Sequence, residues 1–104
     1  MSEGPSLDAL EHGDFARHLG TPFRLRLPSG EALDLTLVEA TLHPDRSAVA
    51  ARRKGFSLVF RDARPGHLPQ GTYRLDHEEM GTLEIFLVPI GPLEGGMGYE
   101  AVFN

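Results

Sequence analysis

Five histidines, at positions 12, 18, 43, 67 and 77, are the side chains of this sequence best suited to hold a metal or move a proton near neutral pH. Their neighbours decide which could act. His77 lies in "DHEE" (76–79), beside Glu78 and Glu79. Its setting is a hairpin turn, not the HExxH helix that puts two histidines on one zinc. Asp14 and His18 are four residues apart and could share a helical face. The loop histidines His43, His67 and His77 are the candidate metal ligands, provided their loops converge. Solvated loop side chains are the plainer reading of each.

Other chemistries find less support. There is no cysteine, so thiolate nucleophiles, thiolate metal sites and disulfides are excluded. Ser6, Ser29, Ser47 and Ser57 lack the GxSxG context of a nucleophile elbow. The paired carboxylates Glu78 and Glu79 fall on a turn, where solvent leaves them ordinary acids. "HPD" at 43–45 matches the triplet of J-domain cochaperones, which sits between two long helices. Here an alternating strand precedes it and no long helix follows. In that setting His43 ends a strand, Pro44 stops it and Asp45 opens a turn. "GPLEGGMG" (91–98) could suggest a phosphate cradle, but such cradles lead into a helix N-terminus. This one leads into the strand "YEAVF" with no lysine after it, so the glycines serve a turn.

The elements that must position these residues are constrained by length and charge. A chain of 104 residues has room for one core. Net charge is −5, from 15 acids and 10 bases, so generic nucleic-acid binding is not expected. "ARRKG" (51–55) is the only basic run and reads as a solvated loop. The start has no basic and apolar leader pattern, and no apolar run approaches the roughly 18–20 residues of a membrane helix. The expected location is the cytoplasm or a particle assembled from it, with no membrane partner.

Residues 1–5 read as a disordered tail and 6–104 as a single β-rich domain. "SLDALEHGDFARHLG" predicts one short helix, broken at Gly13 and closed by Gly20. Leu7, Leu10, Phe15 and Leu19 form its apolar stripe, which plugs or flanks a sheet. From Pro22 the period becomes two. Phe23, Leu25 and Leu27 alternate with Arg24 and Arg26, and Leu33, Leu35 and Leu37 with Asp34 and Thr36. Pairing Leu25 with Leu35 keeps both apolar sets on one face and sets Arg26 beside Asp34. After Leu37 the apolar phase shifts to Val38, Ala40 and Leu42, which predicts a bulge. "FSLVFR" is the next strand. "TYRLDH" and "TLEIFLV" form a hairpin around "EEMG", with Leu75 opposite Leu83 and Arg74 opposite Glu84. Phe86 and Val88 make that last strand apolar on both faces, so it is expected to be central or covered by the helix. "YEAVF" either offers an edge to a partner strand or closes the sheet. Arg24, Arg26, Arg61 and Arg74 fall on outward faces, where they could read an anionic ligand; a solvated face paired with Asp34 and Glu84 is the plainer reading. The fold class is mainly β: about six antiparallel strands in a curled meander or partly closed small barrel, with one short N-terminal helix.

"DFARHLGTPFRL", "LPQGTYRLDH" and "LEIFLVPIGP" with the ending "GMGYEAVFN" together resemble a small bacterial family of uncharacterised single-domain proteins, over residues 14–104. The resemblance implies no catalytic residue and no cofactor. It implies that Gly71, Tyr73, Leu75, Phe86, Pro89, Gly91, Tyr99 and Phe103 are scaffold. It further implies an accessory part of a phage-tail-like or extracellular assembly. The reading is therefore a non-enzymatic structural or protein-interaction module, with a protein partner or self-association. The alternative is a small-ligand or metal-binding β-barrel using His43, His67 and His77.

Overall fold

The computed structural model describes residues 10–43, 55–64 and 68–103. The expected tail, Leu7, the Pro44–Asp45 part of "HPD", the basic run up to Lys54 and His67 lie outside them. The elements are α1 (His12–Ala16), β1 (Pro22–Arg26), β2 (Ala32–His43), β3 (Gly55–Asp62), β4 (Gly71–His77), β5 (Gly81–Leu93) and β6 (Gly96–Phe103).

Period-two alternation builds the ring. In β1 the inward Phe23 and Leu25 are buried while Pro22, Arg24 and Arg26 are exposed. Two three-stranded meanders, β1-β2-β3 and β4-β5-β6, join antiparallel along β3–β6 and β4–β1, so the sheet closes on itself in the order β1-β2-β3-β6-β5-β4. The ring is not a regular barrel. The long strands β2 and β5 change neighbours partway, β2 from β1 to β3 and β5 from β4 to β6. Each has a register shift near the change, at Val38 and at Ile90. The first is the bulge that the phase shift after Leu37 predicts.

The hairpin β4–β5 has the expected register, Leu75↔Leu83, Tyr73↔Ile85 and Arg74↔Glu84. The hairpin β1–β2 is two residues tighter than expected. Leu25 faces Leu33, Phe23 faces Leu35, and Arg24, not Arg26, faces Asp34. The turn decides this. Leu27 N–H donates to Glu31 O and Gly30 N–H to Leu27 O, enclosing a three-residue loop with Gly30 at φ 100°. Parity is unchanged, so both apolar sets still face inward.

The interior is filled by aliphatic and aromatic side chains, Phe23, Leu25, Leu35, Leu37, Leu58, Phe60, Leu75, Ile85, Leu87 and Tyr99 among them, each no more than 1% exposed. Burial of each such chain contributes about 1.5–3 kcal/mol relative to leaving it in water. Helix α1 closes one end. Phe15 is fully buried and packs its ring on Phe56 at 5.8 Å and Phe103 at 5.6 Å, while Phe56 and Phe103 stack at 4.7 Å. The helix is shorter than expected and Gly13 lies inside it, not at a break. Glu11 N–H donates to Asp14 Oδ2 and Asp14 N–H to Glu11 O, so the pair fastens the first turn. Gly20, at φ 84°, ends the segment and donates to Leu37 O. Leu10 joins the core, but Leu19 is 46% exposed and outside the stripe.

Two alternatives left open by the pattern are decided: β5 lies between β4 and β6 with no helix of the described residues over it, and β6 closes the sheet. Helix α1 packs on β2 and β3, not over β5, and Phe86 is 52% exposed on the outer side of β5. Inward Leu83, Ile85 and Leu87 force that parity. The strand buried on both faces is β3, from Gly55 to Phe60. Strand β6 is no edge: β3 pairs with it on one side and β5 on the other, so it closes the sheet.

Candidate functional site

Two places on the ring gather polar side chains. The first is where β1 begins and β4 ends. Thr21 N–H and Thr21 Oγ1–H both donate to His18 O, at 3.1 and 2.6 Å. His77, at the last position of β4, receives Glu79 N–H at 3.0 Å and Met80 N–H at 3.2 Å on Nδ1. Nδ1 is therefore unprotonated, and Nε2 carries the hydrogen and donates to Thr21 Oγ1 at 3.0 Å. Both ring nitrogens of His77 are used in tying the β4–β5 turn to the entry of β1. The ring lies 4.4 Å from Phe23 and 4.4 Å from His18. Burial, with the neighbouring His18, pushes its pKa below the ordinary 6.5. Glu79 reaches back to 4.0 Å from His18 Nε2.

His43, the other candidate ligand among the described residues, ends β2 as expected. Its Nε2 is hydrogen-bonded to the buried Ser57 Oγ at 2.6 Å. His43 and His77 thus serve separate surroundings. Among the described residues no group of three His, Cys, Asp or Glu side chains converges on a point that could hold a metal. His12 donates from Nε2 to Ala40 O at 3.1 Å, fastening the helix to the stretch of β2 that has left β1. Asp62 is buried where β3 ends and accepts Arg64 N–H at 3.0 Å, which starts the crossover toward β4. Burial pushes the Tyr99 hydroxyl up from its ordinary 10.0, against the Leu68 N–H that donates to it at 2.7 Å. Each of these groups holds backbone in place.

The second place is the outer face of β1, β4 and β5. Arg24 pairs with Asp34 at 3.3 Å, and Arg26 with Asp76, which also accepts Thr82 Oγ1–H at 2.8 Å. The hydrogen bond from Arg26 holds the Asp76 carboxyl below its ordinary 3.8, against the opposing effect of burial. These pairs are largely exposed and each contributes about 0–1 kcal/mol. In the β1–β4 ladder Arg26 stands directly opposite Arg74, and Arg74 faces Glu84 across the β4–β5 ladder. Among the described residues Arg74 and Glu84 close no ion pair. An open groove of about 410 Å³ lies here, lined by Arg26, Leu27 and Pro28 on one side and by Thr72, Tyr73, Arg74 and Glu84 of β4 and β5. Tyr73 donates its hydroxyl to Pro69 O, which fixes the aromatic wall. Next to the groove stands Phe86, the ladder partner of Thr72. On the β5–β6 side Val102, 54% exposed, and Ile90, 44% exposed, are further outward apolar side chains among the described residues. The "GPLEGGMG" glycines form the β5–β6 turn, with Gly95 at φ 90°, as the strand context predicts.

A six-stranded antiparallel ring with a filled interior, structural histidines and open grooves on its outer face defines a small β domain. The chain matches the domain of unknown function DUF6916 over residues 10–103, and it belongs to that family. No curated protein and no solved structure matches it. No helix among the described residues is long and apolar enough to cross a membrane.

Proposed function

We propose that this domain is a non-enzymatic structural or protein-interaction module, an accessory part of a multi-chain, phage-tail-like assembly that forms in the cytoplasm. The observation that supports it most is the contrast between inside and outside. The interior is packed with side chains and the polar groups near it are taken up by backbone or by one another, while Phe86 and Val102 stand more than half exposed on the outer face of adjacent strands. A large aromatic side chain left in water on a rigid sheet is the kind of anchor that interfaces use. The tail-like setting comes from the family resemblance carried by "LPQGTYRLDH" and "GMGYEAVFN".

The test is cross-linking and affinity capture with the wild-type chain and with a Phe86→Asp, Val102→Asp variant, whose exposed positions leave the core intact. Capture of a defined partner, this chain or another, that falls at least tenfold in the variant supports the module. Equal capture by both chains, or turnover of ester, phosphoester or glycoside substrates, sinks it.

A further inference from the structure

We infer that the partner at the β4–β5 outer face is a second copy of this chain, held across a two-fold axis with each Phe86 seated in the other copy's groove. This rests on the interaction-module reading and names its partner. A symmetric dimer uses the same patch twice, so that patch must carry both halves of the contact. This one does. The knob, Phe86, and the groove beside it are neighbours through the Thr72↔Phe86 ladder pair. At the groove Pro28 and the accessible parts of Leu27 and Tyr73, both of which also pack on the core, offer apolar contact beside the Arg26 guanidinium.

The charges repeat the pattern. Arg74 and Glu84 sit side by side on this face without closing an ion pair among the described residues. A two-fold through the face brings Arg74 of one copy to Glu84 of the other, and the reverse, so the contact forms two equivalent pairs. An isologous contact requires both signs of charge and both a knob and a hole on one patch, and this patch carries all four. Strand addition is disfavoured as the mode of contact. The stretch of β5 that has left β4 carries Pro89 and Pro92, which cannot donate to a new ladder.

Sedimentation equilibrium and native mass spectrometry test this over micromolar concentrations. The wild-type chain is expected to dimerise, and Phe86→Asp to weaken the dimer at least tenfold while its circular dichroism, and its Tm at concentrations where both chains are monomeric, stay unchanged. Arg74→Glu and Glu84→Arg should each weaken it, and the two together in one chain should restore it. A wild-type monomer overturns the inference, as does a dimer indifferent to Phe86→Asp or a charge swap that does not restore. A monomer that still captures a different protein through Phe86 overturns only the second-copy assignment and leaves the interaction module standing. A monomer that captures nothing overturns both.

Discussion

His77 shows how one side chain can look like a ligand and work as a fastener. "DHEE" places imidazole and carboxylates together, which raises the thought of a metal. The geometry turns Nδ1 onto two backbone N–H groups of the turn and Nε2–H onto Thr21. The signal was present in the spacing, since a histidine two and three residues before turn amides can accept from them. A proton on Nδ1 would break both of those bonds. The folded pKa is depressed, so the unfolded chain binds the proton more readily. The contribution of His77 to stability is therefore complete above its ordinary 6.5 and is lost as pH falls below that value toward the folded pKa. His77→Ala should cost about 1–3 kcal/mol at pH 8, the price of two turn amides and one hydroxyl losing their partner. Urea midpoints measured from pH 8 to pH 5 should fall less steeply in His77→Ala than in wild type. Parallel slopes in the two proteins would show that another group carries the pH response.

At the scale of elements, hairpins were legible where turn and cross-strand charges agreed. Arg74 opposite Glu84 and the short "EEMG" turn allow one register for β4–β5, and that register is found. For β1–β2 two registers of equal parity both set an arginine beside Asp34, so apolar and charge patterns could not separate them. The hydrogen bonds closing the loop at Leu27, Gly30 and Glu31 did. The outward side of Phe86 was readable from the parity of Leu83, Ile85 and Leu87, but two-sided hydrophobicity obscured it. The β5–β6 turn carries the sharpest element-scale prediction. A Cβ on Gly96 would lie 2.1 Å from Asp62 O, with φ at +157°. Gly30 has φ at +100° and open space around it. Gly96→Ala should destabilise by about 3 kcal/mol or more, because turn and β3 end must both shift, whereas Gly30→Ala should cost about 1 kcal/mol. Thermal denaturation of the two variants checks the order, and equal losses would contradict the close approach.

For the whole molecule, the alternation predicts a small curled sheet and cannot supply its strand order. The crossover from β3 to β4 runs through "DARPGHLPQG", whose turn residues say that the chain reverses but not over what distance. Only the seams, Arg24↔Asp76 and Phe56↔Phe103, show that the meanders meet along both sides. The aromatic plug has a consequence for how the chain could be threaded. Phe15 and Phe103, near the two ends of the described chain, touch at 5.6 Å, so the backbone is already almost a loop. A short glycine linker could join the ends of the described chain, which could then be reopened elsewhere without cutting a ladder. A circular permutant opened between Ser29 and Gly30 should fold with a Tm within roughly 10 °C of the parent, a loss of about 1–2 kcal/mol. One opened between Leu58 and Val59, inside the doubly buried strand, should not fold, as circular dichroism and melting would report. Where this ring starts along the sequence is then a matter of history more than of packing, since the same six ladders can be written from another first residue.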